Sequence, residues 1–268
     1  MLGALHRWKK LASLYAAFFR ASLTADLEFR ANFVIRIVTD IFWYVAQIAS
    51  FEVLFNFTDQ IGGWNRAEMR VFLGVLFVID AIFMTVFQYN LDQFSETVRK
   101  GTLDLLLTKP VSSQFMMSCQ RVSTAYLGNI VLATVWLVWS LWQLEGFAWW
   151  RLVWLIVMIP GGLAVYYTLR FFFSATAVIF QRAENLQYLW YHLYRLGIRP
   201  DTIYAPWLKF VLLTALPVGL IASVPARLVL GLASPWLAGW VLVMAVVSMW
   251  VSKLYWNFTL KFYQSASS

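Results

Sequence analysis

One cysteine, Cys119, stands in the 268-residue chain, so no intrachain disulfide can form. The two histidines, His6 and His192, lie far apart, which argues against a His/Cys metal site. The phosphate-cradling patterns G-x-x-x-x-G-K-[ST] and G-x-G-x-x-G are absent, so the chain is not expected to bind a nucleotide itself. Neither a G-x-S-x-G elbow nor H-E-x-x-H occurs, and the carboxylates are scattered. A membrane enzyme acting on lipid therefore lacks a visible catalytic constellation. Charge is scarce too. Asp, Glu, Lys and Arg make up 13% of the residues, against roughly a quarter in soluble domains. No internal repeat and no low-complexity linker divides the sequence, which reads as one domain over 1–268.

What fills the chain is apolar. Hydrophobic residues reach 61% and the mean hydropathy is +0.67. A water-soluble fold cannot hide that much apolar surface, so lipid must be the solvent for much of it. The length allows about six spans of roughly 20 residues each. The net charge is +8, with Lys and Arg placed in the gaps between apolar runs. That placement fits contact with anionic inner-leaflet lipid and the positive-inside rule. No basic stripe of the kind nucleic acid requires is present.

Along residues 1–30, Leu5, Trp8, Leu11, Leu14, Tyr15, Phe18 and Phe19 recur at helical spacing, punctuated by His6, Arg7, Lys9, Lys10 and Arg20. This predicts an amphipathic helix lying on the cytoplasmic face. A signal peptide is the rival reading, but Arg20 cuts the apolar stretch short and no small-x-small cleavage site follows. Spans are expected at 31–57, 71–91, 115–142, 152–180, 186–200 and 236–258. Pro160-Gly161-Gly162 marks an expected bend in the fourth. Gly197, Pro200, Pro217 and Pro225 interrupt the region after residue 186, so 201–231 reads as a re-entrant pair of half-helices. Trp139, Trp142, Trp149, Trp150 and Trp154 cluster as an aromatic belt at one interface.

Orientation follows from the loops. Arg7, Lys9, Lys10, Arg20 and Arg30, then Arg99, Lys100 and Lys109, then Arg182, then Lys253 and Lys261 alternate with loops holding only Arg66, Arg70 and Arg151. Both termini are expected to be cytoplasmic. Arg195, Arg199 and Lys209 are exceptions that this topology places outside.

The membrane-embedded charges that stand out are Arg36, Asp40 and Glu52 in the first predicted span and Asp80 in the second. Arg36 and Asp40 share a helix face at i, i+4 and can pair, which suits a packing role. Asp80, near the middle of its span, is the better candidate for transport, beside the alternative of a buried structural polar group.

The connection at 92–112 is the most informative stretch. Gly101 can supply a turn, Thr102 or Asp104 can cap a short helix, and Lys109-Pro110 can end it. A short amphipathic helix held between two spans is something a soluble partner can push; an ordinary interfacial loop helix has the same pattern. The run Arg99-Lys100-Gly101-Thr102-Leu103-Asp104-Leu105-Leu106-Leu107-Thr108-Lys109-Pro110-Val111 resembles the cytoplasmic loop of type-2 ABC exporter permeases, roughly basic-x-G-x-L-D-x-L-L-x-x-P-V. Ile203-Tyr204-Ala205-Pro206-Trp207-Leu208-Lys209 through Pro217, with Ser223-Val224-Pro225-Ala226 and Gly231, resembles the same family's segment before the last span. The ending Lys261-Phe262-Tyr263-Gln264-Ser265-Ala266 is similar to that of a drug-resistance or viologen-exporter subfamily. Lys109 stands where many relatives carry Arg.

The resemblance implies an all-α polytopic fold with six spans, an N-terminal interfacial helix and re-entrant half-helices before the last span. It implies a second permease, in a homo- or heterodimer, and a separate ABC-type ATPase that holds ATP and Mg, with no cofactor on this chain. Arg99, Lys100, Gly101, Thr102, Leu103, Asp104, Lys109 and Pro110 would then meet the ATPase. The cargo would be a lipid, an antibiotic or a lipophilic cation, exported across a bacterial inner membrane. An ATP-independent carrier or channel driven through Asp80 or Glu52, and a non-transporting scaffold that docks a partner through 92–112, are the other readings.

Overall fold

The computed structural model describes residues 2–28, 30–180 and 184–263, without the side chains of 2–8, 30–33, 184 and 185. Arg182, the Gln264-Ser265-Ala266 ending and the side chains of His6, Arg7 and Arg30 lie outside the described residues. Helices dominate, and the described residues contain no strand beyond one isolated bridge between Ile61 and Trp64.

Helix α1 spans Leu2–Glu28 and α2 spans Arg30–Leu54. Gly62 and Gly63, both at positive φ, turn the chain at that bridge. Asn65 then caps α3 (Arg66–Phe83), and Glu68 bonds back to the Asn65 amide to complete a capping box. α3 runs on through a widened π-turn at Met84–Gln88 and a last turn at Tyr89–Asp92. The short helices α4 (Phe94–Arg99) and α5 (Leu103–Leu107) follow. Then come α6 (Ser113–Cys119), α7 (Leu127–Trp142), α8 (Leu152–Ala175), α9 (Glu184–Gly197), the bent pair α10 (Pro206–Leu213) and α11 (Ser223–Leu230), and α12 (Trp236–Thr259).

Five helical segments are long and apolar enough to cross a bilayer: Val34–Leu54, Arg66–Arg99, Thr124–Trp142, Trp149–Phe180 and Trp236–Phe262. The pair Pro206–Leu213 and Val218–Leu230, bent by 73°, makes a sixth if counted as one span. The protein is thus an all-α polytopic membrane protein. α3 is its centre, packed most closely on α7, while α8 packs on α12. A Cβ on Gly74 would meet Leu137 Cα at 2.9 Å, so glycine is what lets α3 and α7 approach. Outward faces of α2, α7, α8 and α12 expose Phe42, Val135, Ile156 and Val246, a surface stable only against lipid.

Two details differ from the sequence expectation. The run expected as one span over 115–142 breaks at residues 120–123. Side chains from elsewhere satisfy the freed backbone: Asn90 donates to the Arg121 carbonyl at 2.7 Å and accepts from its amide at 3.0 Å. Ser22 Oγ accepts from the Val122 amide at 3.0 Å, and Asp26 accepts from Thr124. Second, the segment expected to span at 186–200 is the 14-residue α9, shorter than the roughly 20 residues a crossing needs. Its buried Trp190 and half-buried Tyr194, four apart, pack against Tyr166 of α8, while His192 and Arg195 are exposed. At the expected bend site, α8 is helical on both sides of Pro160. Gly162 serves close packing there: a Cβ would lie 2.4 Å from the Ile221 carbonyl oxygen between α10 and α11.

The bent pair has its own polar anchor. Asp201, 1% exposed, bonds Ser223 and takes ion pairs from Arg227 at 3.1 Å and Lys209 at 3.3 Å. Of the three residues that the positive-inside count leaves out of place, Lys209 thus has a buried partner. Trp64 Nε1 donates to Thr202 at 2.8 Å and ties the 55–65 loop to the same anchor.

Candidate functional site

Two regions gather the polar chemistry. The first is the connection at 92–112. Its root is Asp92, whose Oδ1 lies 2.5 Å from the guanidinium of Arg170, a residue of α8 with no solvent exposure. Gln88 donates to Asp92 Oδ2 at 2.7 Å, Gln187 of α9 donates to the Asp92 carbonyl at 3.2 Å, and Ser174 joins Arg170 to the Leu91 carbonyl. Phe94 sits edge-on to both Phe171 and Trp256. The start of the connection is therefore fixed to α8, α9 and α12 by a buried ion pair and an aromatic cluster.

Beyond that root the chain turns outward. Glu96 pairs with Arg99 at 2.5 Å and Lys100 at 3.0 Å. Gly101 turns the chain at φ 70°. Thr102 precedes α5, but its hydroxyl donates back to the Thr97 carbonyl at 3.0 Å instead of capping the helix. Leu103 and Leu106 are buried, whereas Leu105 is 67% exposed. Arg99, Lys100, Lys109 and Pro110 are exposed beside it, and Asp104 is half-buried. Tyr263, past the end of α12, places its hydroxyl by the Asp104 carboxylate; burial first, and that carboxylate second, hold the phenol above its ordinary range. The eight residues expected as a contact site thus form one anchored hairpin of two short helices with an apolar and basic outer face.

The second region is a cavity of about 530 Å³ within the helices, bounded by α2, α3, α8 and α9. Asp80 lines it and is 1% exposed. Tyr194 donates a short hydrogen bond to Asp80 Oδ1, and Tyr166 is a further hydroxyl neighbour. Tyr166 stacks on Phe83 at 3.8 Å between ring centres. Gln88 lines the same cavity and donates to Tyr191 at 3.2 Å, so one side chain touches both regions.

The other embedded charges are not brought to this cavity. Asp40 accepts from Asn129 of α7 at 2.8 Å, and Arg36 sits over the Tyr126 ring at 5.6 Å. No ion pair joins Arg36 to Asp40 among the described residues; Asn129 of α7 and Tyr126, just before that helix, are their neighbours instead. Glu52 pairs with Arg70 at 2.6 Å at the far end of α3. Sequence reading passes over Arg170, Gln88, Tyr194 and Asn129. Gln88 and Asp92 at i, i+4 are a local signal; a lone arginine late in the long apolar run of α8 is another.

The profile of the family described as ABC-2 family transporter protein matches residues 41–267, most of the chain. The chain belongs to the ABC-2 transporter family. Among curated proteins and among solved structures, none matches it. An ABC-2 transporter protein is a transmembrane subunit, and the family in general works with an ABC ATPase. The match takes in both polar regions and all five long candidate spans except the first part of Val34–Leu54.

Proposed function

We propose that this chain is the permease subunit of an ABC exporter, moving an amphipathic or lipophilic cargo by alternating access while a separate ATPase subunit hydrolyses ATP. The observation that carries this reading is the hairpin at 92–112: rooted in the membrane helices by Asp92–Arg170, yet presenting exposed Leu105 among basic side chains. A surface so built passes a push from a soluble partner to α8 and α9. Residues 99–110 are the proposed ATPase contact, with Arg99, Lys100, Gly101, Thr102, Leu103, Asp104, Lys109 and Pro110 at its centre. The chain pairs with a second permease, sits in a bacterial inner membrane, and keeps both termini cytoplasmic, as the Lys and Arg distribution supports.

Affinity purification of the tagged chain from its native membrane, beside a deletion of residues 101–104, tests this. An ABC ATPase retained by the wild type and lost with the deletion is the expected result. No ATPase in mild detergent overturns it. The Asp80 cavity favours a second reading, an ATP-independent carrier, which requires flux by the chain alone in proteoliposomes.

A further inference from the structure

The cavity around Asp80 lies within the range of about 300–1,000 Å³ usual for small-molecule sites. Its chemistry is uneven in a way that specifies an occupant. Asp80 Oδ1 takes the Tyr194 hydroxyl and the Tyr166 hydroxyl is a second neighbour of the carboxyl, but Oδ2 is buried and no described donor meets hydrogen-bond geometry to it. No Lys, Arg or His lies within ion-pair distance of that carboxylate among the described residues. A buried carboxyl with an idle acceptor is costly, and a cationic donor is the partner that removes the cost. The walls suit such a partner. Trp43, Tyr166, Tyr191 and Tyr194 line the same cavity; Tyr166 and Tyr194 are stacked on each other and on Phe83 and Trp190, so Trp43 and Tyr191 are the rings left to meet a cation. Arg195 is the basic side chain in the lining, and it is exposed. It opposes a second positive charge at the open side.

We infer that this cavity binds a protonated amphipathic amine carrying one positive charge, with its N–H donating to Asp80 Oδ2 and its apolar body against Trp43 and Tyr191. Whether that amine is cargo rests on the permease reading; the binding itself does not. The idle acceptor selects for an N–H, so a quaternary ammonium of the same shape fits the rings and leaves Oδ2 unserved. Two sources supply this chemistry, a free lipophilic amine and the ethanolamine headgroup of a membrane lipid.

The test uses the full chain in phosphatidylcholine nanodiscs, without any ATPase, titrated calorimetrically with phenylbutylamine. Phenylbutyltrimethylammonium is the matched quaternary probe. The amine should bind at least about tenfold more tightly, as loss of one charge-assisted hydrogen bond implies. Asp80→Asn should remove that preference. Equal affinity for the two probes in the wild type overturns the inference without any variant, and so does an unchanged preference in a folded Asp80→Asn. A diamine of equal length binding more tightly than the monoamine overturns the single-charge selection. Nanodiscs containing phosphatidylethanolamine compete if the lipid is the natural source and leave binding unchanged if it is a free amine. Absence of an ATPase from the wild-type purification fails the permease reading alone, and absence of the amine preference in the wild type fails this one alone.

Discussion

Removing the carboxylate of Asp92 should be among the most damaging single changes in the membrane-embedded part of the protein. Arg170 has no solvent exposure and its guanidinium lies 2.5 Å from Asp92. In Asp92→Ala the charge stays buried, with Ser174 and the Tyr191 ring as its remaining neighbours. Stranding one member of a buried pair costs about 3–5 kcal/mol. Asp92 itself is 32% exposed, so water can reach the vacated site, and the lower end, about 3 kcal/mol, is expected. Arg170→Met restores an apolar fill of similar length, so the double variant Asp92→Ala/Arg170→Met should recover most of the loss. Unfolding in detergent with rising SDS, followed by tryptophan fluorescence, gives the free energies for the four corners of that cycle. A cost for Asp92→Ala under about 1 kcal/mol, or a double variant no better than the single, refutes the claim that this pair anchors the connection.

Other features yield sharper local outcomes. Leu105→Asp alters a residue that is 67% exposed, so folding should be unchanged while ATPase co-purification falls; intact co-purification speaks against the contact surface. Gly162→Ala places a Cβ 2.4 Å from the Ile221 oxygen and should cost about 1–3 kcal/mol in the same SDS assay, whereas Gly239→Ala, which meets nothing within 4 Å, should be neutral. Asp201→Ala strands Arg227 and the Ser223 hydroxyl and should expose the bent pair to protease at low detergent, with Thr202→Val, which removes the acceptor of the Trp64 bond, changing far less.

The fold was legible wherever an apolar run was long and uninterrupted. α2, α3, α7, α8 and α12 announce themselves by length and hydropathy alone, because a bilayer leaves few other options for such runs. The break at 120–123 was not legible, although Gln120, Arg121 and Ser123 are polar within an apolar stretch. What makes it affordable is Asn90, Ser22 and Asp26, three side chains far away in sequence. α9 misled for the opposite reason. Its aromatics look like membrane residues, but they bury one face against Tyr166 rather than meeting lipid all round. At the candidate sites, Asp80 and the 92–112 connection stood out, since an acid in an apolar run and a Gly-turned polar loop are local signals. Tyr194 and Arg170 complete them through contacts 114 and 78 residues away, which no local pattern encodes.

The π-turn at Met84–Gln88 gives α3 one residue more than a regular helix would need over that turn. It lies between Asp80 and Asp92, on the only helix that carries both. Were that surplus taken up as ordinary α-helix, everything beyond it would rotate by about 100° and advance by about 1.5 Å relative to everything before it. Gln88 would swing off Tyr191, and the Asp92 carboxylate would leave the guanidinium it now meets. The turn therefore works as a reserve of thread in a screw. It is wound one residue loose at the depth of the cavity, and the same residue taken in would be felt as torque at the hairpin.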